Sequence, residues 1–292
     1  MKSAEQFRVQ HYVGAKGLDL VGDIAGDPNS PAVIFLHGGG QTRHSWHGAM
    51  RELVGRGYHV INLDARGHGD SQWSPDGEYT IEALAEDLAC VINTLSSKPA
   101  LVGASMGGAT SLYLAGTRVK PIASALVLVD IVPQLNMEGA EKIGAFMRGN
   151  PGGFANLEEA ADAVSAYNPH RARPKDNSGL MKNLRLREDG RLHWHWDPRM
   201  VQSQSRAEPP VFKEMLNTAA DHVKIPTLLV RGSKSNIVTD DGVADLKSHL
   251  PQLEVFDVGG AGHLVAGDKN DAFNQGVFDF LRRHLSPNTP TR

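Results

Sequence analysis

Ser105 stands in Leu101-Val102-Gly103-Ala104-Ser105-Met106-Gly107-Gly108, an apolar run that passes through a Gly-x-Ser-x-Gly turn into a segment of helical periodicity. A strand, a sharp turn and a helix in that order can hold a serine hydroxyl clear of the backbone, where it can attack an acyl carbon. Small residues at Gly103 and Gly107 are required because strand and helix pass closely at the turn. The Met106 N–H, at the helix start, is placed to receive the oxygen of a substrate carbonyl as negative charge develops. A bare Gly-x-Ser-x-Gly is often only a turn whose serine caps a helix, so the flanking strand and helix and the partner groups decide the reading.

A serine hydroxyl is a poor nucleophile at neutral pH and needs a histidine to take its proton and return it to the leaving group. Of the thirteen histidines, His263 is the candidate, because Gly259-Gly260-Ala261-Gly262-His263-Leu264 is a pliant turn directly after the last predicted strand. His37 ends a strand, His68 lies in Arg66-Gly67-His68-Gly69, and most others fall on helices or in an insertion. A carboxylate must then orient the imidazole. Asp130, at the end of the run Ala125 to Val129, is favoured over the loop after Pro226 to Arg231, where Gly232-Ser233-Lys234-Ser235-Asn236 offers no acid before Asp240. Asp240 and Asp241 read as the start of the next helix. In His37-Gly38-Gly39-Gly40-Gln41, Gly39 is the expected second oxyanion donor, with Gly40 as the alternative and a plain glycine-rich loop as the duller explanation.

These groups need a frame. Near-continuous apolar runs at Ala32 to His37, His59 to Asp64, Pro99 to Ala104, Ala125 to Asp130, Pro226 to Arg231 and Leu253 to Val258 read as strands covered on both faces. Phe7 to Tyr12 and Leu18 to Ala25 read as an antiparallel hairpin at the sheet edge. Helical segments are expected at Arg43 to Gly55, Thr80 to Leu95, Met106 to Arg118, Asp240 to Leu250 and Asn270 to His284. The fold class is therefore α/β, a mostly parallel doubly wound sheet of about eight strands. Residues 1–132 and 224–292 form its core, and 133–223 form a mainly helical cap inserted between two strands of one sheet.

With 292 residues, 40% hydrophobic and 22% charged residues and a formal net charge of -3, the chain is balanced like a globular protein and carries no cationic stripe for nucleic acid. No run is apolar for long enough to span a membrane, and the first residues lack the apolar block of a signal peptide, so a cytoplasmic setting is expected. The single cysteine, Cys90, is expected in the core. No phosphate loop, dinucleotide fingerprint or metal-spaced cluster appears, and neither cofactor nor metal is expected. His193 and His195 alternate with Trp194 and Trp196 without a third ligand, which fits a strand better than a metal site. Trp46, Trp194 and Trp196 are candidates for touching a substrate, with packing favoured for the pair in the cap. Arg148, Arg171, Arg173, Arg185, Arg187 and Arg191 could meet an anion, but acids interleave with them and a solvated surface is expected.

The motifs His37-Gly38-Gly39-Gly40 followed by Trp46, Asp64-Ala65-Arg66-Gly67-His68-Gly69-Asp70-Ser71, Gly103-Ala104-Ser105-Met106-Gly107-Gly108 and Gly262-His263 resemble the α/β-hydrolase superfamily over most of the chain. The likeness is to its capped branch of esterase-like, epoxide hydrolase-like and C–C bond hydrolase-like proteins. It implies a mainly structural role for the Asp-x-Arg-Gly-x-Gly-x-Ser turn. Many members place their acid near the position of Ser235, which this chain lacks, while some use an Asp after the earlier strand, as Asp130 would be. Epoxide hydrolases and haloalkane dehalogenases of this type carry Asp as nucleophile, so Ser105 argues against both activities. The expectation is a serine hydrolase of an ester or related acyl bond in a small molecule, as monomer or homodimer. Amide, lactone, thioester or C–C cleavage, a perhydrolase activity, or a non-catalytic ligand-binding member are the alternatives.

Overall fold

The computed structural model describes residues 7–168, 173–201, 208–263 and 270–285. Along the chain run β1 (Arg8–Val13), β2 (Asp19–Ala25), β3 (Ala32–Leu36), α1 (His47–Gly55), β4 (His59–Leu63), α2 (Ile81–Ile92), β5 (Ala100–Ala104), α3 (Met106–Thr117) and β6 (Ala125–Val129). After them come α4 (Met137–Arg148), α5 (Leu157–Tyr167), β7 (Leu184–Leu186), β8 (Leu192–Trp194), α6 (Pro209–His222), β9 (Thr227–Gly232), α7 (Asp240–His249), β10 (Leu253–Val258) and α8 (Asn270–His284).

Eight strands pair in the order β1-β2-β4-β3-β5-β6-β9-β10. The β1–β2 and β2–β4 pairs are antiparallel and every later pair in this sheet is parallel. Alternation along each strand sends side chains into two separate cores, which is why the runs read as apolar at every position. Ile34, Leu36, Leu101, Leu126 and Leu128 pack in one layer with residues of α2, α3, α6 and α7. Val33, Phe35, Val102, Val127 and Val129 pack in the other with α1 and α8. Each fully buried Leu or Val contributes about 1.5–3 kcal/mol, so a polar substitution in these strands would cost the fold rather than adjust it. Helix starts are set locally: Thr80, Asn136, Asn156 and Thr239 each accept a backbone N–H of the first turn of α2, α4, α5 and α7. Among the described residues no helix is long and apolar enough to cross a membrane.

Three expectations are corrected. The segment assigned to a cap over 133–223 extends too far, because α6 packs Leu216 and Ala220 into the main core. There it lies so close to α3 that a Cβ on Gly116 would stand 2.0 Å from the Ala219 carbonyl oxygen. The separate cluster is built by Met147, Phe154, Ala160, Leu184, Trp194 and Trp196 among others, between α4 and Val201, with Tyr79 packed into it, and it includes the β7–β8 hairpin. Trp46 is buried in the core. It is 2% exposed and stacks on Phe35 at 5.0 Å, because its position just before α1 turns the ring under the sheet. Cys90 is only half-buried on α2, on the same side of the helix as exposed Glu82 and Glu86.

At the end of β5 the glycines are dictated by the turn. A Cβ on Gly103 would fall 2.4 Å from the Gly107 carbonyl carbon and oxygen, and one on Gly107 would fall 2.6 Å from the Leu36 oxygen. Neither obstacle is a flexible side chain. Gly103→Ala is expected to lower stability by about 3 kcal/mol, measured as a lower urea midpoint at unchanged m; an unshifted midpoint would mean that the turn is looser than described.

Candidate active site

Ser105, between β5 and α3, has φ 46 and ψ -113, a backbone conformation that L-residues rarely adopt. It is held by Ser105 N donating to the Val129 carbonyl at 3.0 Å and by its own carbonyl accepting from Ala109 N at 2.9 Å. Met106 N is the first N–H of α3 and so has no carbonyl of its own helix to bond. Asp130, one residue beyond β6, also has positive φ, 50, and is fully buried. The register sets Ala104 beside Val129, so Ser105 and Asp130 leave neighbouring strands at the same sheet edge.

The Asp130 carboxylate is saturated with donors. Its Oδ1 accepts from Gly232 N at 3.1 Å, and its Oδ2 from Ser235 Oγ at 2.6 Å and from His263 Nδ1 at 2.7 Å. The turn that carries His263 is pinned to the end of β9 by Lys234 N donating to the Ala261 carbonyl and Gly260 N donating to Ser233 Oγ. A carboxylate on Nδ1 fixes the proton there and leaves Nε2 as the basic atom, the state a general base requires. Ser235 was not foreseen as a participant. It occupies the loop that has no acid, braces Asp130, and accepts Ile237 N and Val238 N itself; its only sequence signal was standing where related chains carry the carboxylate.

The glycine-rich loop after β3 separates its two donor candidates. Gly40 N donates to His68 Nε2 at 3.1 Å, and Gly38 N to Gln41 Oε1 at 3.1 Å. Gly39 N meets no acceptor among the described residues, which favours it over Gly40 as an oxyanion donor. Gly38 abuts the nucleophile, since a Cβ there would lie 3.4 Å from Ser105 Cβ, and Met147 of α4 covers Gly39 and Gly40.

Two buried histidines, His37 and His68, bond this loop, and a third, His195, bonds the neighbouring Asp64–Ser71 turn. His37 bonds the Gly38 carbonyl through Nδ1 and accepts Ala65 N at Nε2, His68 bonds the Arg66 carbonyl through Nδ1, and His195 accepts Gly69 N at Nδ1. His68 lies between the other two, with ring centroids 4.8 Å from His37 and 5.7 Å from His195. Each has a backbone donor pointing at one ring nitrogen, so each is neutral with an assigned tautomer. Burial pushes His37 and His68 below the usual imidazole range and His195 down to about 3. The unfolded chain therefore takes up protons below about pH 6.5 that the folded chain refuses, and stability falls as pH drops from there toward the folded values. Each histidine adds a slope of about 1.4 kcal/mol per pH unit. Urea midpoints should decline between about pH 6.5 and pH 5, above the range where carboxylates titrate; a flat midpoint in that window would contradict neutral burial.

The Asp-x-Arg-Gly-x-Gly-x-Ser turn is a brace. Arg66 makes a bidentate pair with Asp87 at 2.6 and 2.8 Å, Ser71 Oγ donates to the Asp64 carbonyl, and Asp64 accepts Arg43 N and Asp70 N. Trp194 and Trp196 stack at 4.9 Å with an interplanar angle of 11° and pack with Phe146 and Phe154 in the separate cluster. Trp194 Nε1 is buried without an acceptor among the described residues. His193 pairs with Asp189 at 2.7 Å. The arginines are engaged elsewhere: Arg148 with Glu141, Arg173 with Glu158 and Asp162, Arg185 with Asp70, Arg191 with the Gly152 and Gly153 carbonyls, and Arg187 over the Trp73 ring. Arg171 lies outside the described residues.

A family model described as the alpha/beta hydrolase fold matches residues 31–269, which contain the serine, the carboxylate and the histidine. The chain belongs to the α/β-hydrolase fold family. Within it, the chain is similar to the esterase Rv0045c of Mycobacterium tuberculosis, 32% identical over 262 residues that cover 86% of this chain and 84% of that one. It is also similar to the sn-1-specific diacylglycerol lipase ABHD11 of Mus musculus, 31% identical over 278 residues, 88% of this chain and 83% of that one. Among solved structures, E-2-(acetamidomethylene)succinate hydrolase superposes with a TM-score of 0.82 over 94% of this chain and 99% of that one; at 24% identity it speaks for the fold alone.

Proposed function

We propose that this α/β-hydrolase is a serine esterase that cleaves a carboxylic ester of a small molecule through an acyl-enzyme on Ser105. The observation that carries the reading is the 2.7 Å contact of buried Asp130 with His263 Nδ1, at the sheet edge where Ser105 stands in a strained turn. Ser105 Oγ attacks the ester carbonyl as His263 Nε2 takes its proton, and Asp130 stabilises the imidazolium. The Gly39 and Met106 N–H groups receive the oxyanion. His263 then protonates the departing alkoxide, and water, deprotonated by the same imidazole, releases the acid. The relatives named as an esterase and a lipase support an ester over an amide or a C–C bond. The cap cluster, with Met106 and Phe146 packed against it, sets an apolar surface beside the nucleophile for the acyl group. A cytoplasmic monomer or homodimer without cofactor fits this chemistry.

The test is to incubate the purified protein with short- and medium-chain p-nitrophenyl esters and, in parallel, with a fluorophosphonate. Turnover together with one label per chain on the peptide bearing Ser105 is expected. No turnover and no label would put a ligand-binding role in its place.

A further inference from the structure

Between β2 and the start of α1, three metal-ligating atoms converge. Asp23 on β2 contributes Oδ2, His44 in the short 3-10 turn Arg43–Trp46 contributes Nδ1, and His47 at the start of α1 contributes Nε2. His47 Nε2 lies 2.7 Å from Asp23 Oδ2 and 3.4 Å from His44 Nδ1, and all three atoms lie within 4.8 Å of one another. Two nitrogens on a tetrahedral zinc at about 2.0–2.1 Å stand about 3.4 Å apart. A single proton on His47 Nε2 can point at the carboxylate or at His44, not fully at both; a cation at the centre satisfies all three lone pairs.

The surroundings are prepared for such an ion. Asp23 is buried, while His44 and His47 keep a path to solvent, the His47 side chain being 21% exposed. The other Asp23 oxygen, Oδ1, faces Arg43 Nε at 3.1 Å. Arg43 is itself shared by Asp23, Asp64 and Asp70, and Arg185 also bonds Asp70. Two arginines among three carboxylates leave one negative charge in excess. The backbone is fixed as well, since Arg43 N donates to Asp64 at 2.7 Å and its carbonyl accepts from Asn62 Nδ2 at 2.6 Å.

We propose that Asp23, His44 and His47 form a site for one divalent transition-metal ion, with water as the fourth ligand, that ties β2 to the beginning of α1. Two imidazoles and one carboxylate select Zn2+, Co2+, Ni2+ or Cu2+ over Mg2+ and Ca2+. The sequence hid the site because His44 and His47 are three apart while the third ligand comes from a strand before them; only the pairing of β2 with β4, and the 3-10 turn above it, unites them.

The experiment is calorimetric titration of the chelator-treated full-length protein with Zn2+, alongside Co2+ visible spectra and thermal unfolding with and without Zn2+. One Zn2+ per chain, an intense tetrahedral Co2+ spectrum and a raised thermal midpoint are expected for the wild type. His44→Ala and His47→Ala, which leave the Arg43–Asp23 pair in place, should each weaken Zn2+ at least about tenfold and lose the Co2+ band. His11→Ala, which removes an exposed histidine paired with Asp19, should behave as wild type. Absence of stoichiometric Zn2+ binding, or variants at His44 and His47 that bind as wild type does, would overturn the site and leave an ordinary His47–Asp23 ion pair. An anomalous peak located elsewhere in Zn2+-soaked crystals would do the same.

Discussion

Ser105→Ala is expected to reduce ester turnover by about 10^4- to 10^6-fold. The substitution removes the atom that bonds to the acyl carbon, and neither His263 nor the N–H donors of Gly39 and Met106 can replace it. What remains is the acceleration that oriented donors give to attack by water. The fold should survive, because among the described residues Ser105 Oγ makes no hydrogen bond that holds the turn, and alanine inherits the same positive φ. The thermal midpoint is expected to be unchanged or raised, since strain at a functional site is maintained by its surroundings. Side-by-side rates and melting curves decide the matter: a variant that melts normally and keeps a tenth of the turnover would exclude Ser105 as nucleophile.

Asp130→Asn should be nearly as damaging, with kcat lower by about 10^4-fold and substrate affinity little changed. An amide at position 130 can still accept Gly232 N, but its NH2 then faces His263 Nδ1. That donor drives the imidazole proton to Nε2, the atom that must accept from Ser105, and no charge remains to stabilise the imidazolium. Asp240→Asn is the matched control. Asp240 is the first residue of α7 and pairs with Arg231 at the surface, away from the histidine. If Asp130→Asn retained most of the activity, or Asp240→Asn lost it, the assignment of the acid would fall.

Much of this arrangement could be read directly. The six parallel strands and five helices predicted around them fall within a few residues of their observed limits, because a strand buried on both faces must be apolar throughout and a surface helix must not. The turn at Ser105 was legible through Gly103 and Gly107, whose missing side chains are demanded by backbone atoms under 3 Å away. Asp130 became the candidate acid mainly by elimination, as the loop after β9 offered no carboxylate. Trp46 and the boundary of the cap were misread for one reason: an aromatic ring or an amphipathic helix does not reveal which layer it will face. Residues 209–222 have the periodicity of a helix wherever they pack.

The sequence by itself determined the chain order of the six parallel strands and the five helices around them, the tight serine turn and which residues are candidates to exchange a proton, since these follow from local periodicity, glycine sterics and side-chain chemistry. Only the tertiary structure decided that His68 takes the Gly40 N–H and leaves that of Gly39 open, that Ser235 braces Asp130 across 105 residues of chain, and that Asp23 meets His44 and His47. These are hydrogen bonds and convergences between segments remote in sequence. Their existence depends on strand pairing and layer packing, which no local pattern of residue types contains.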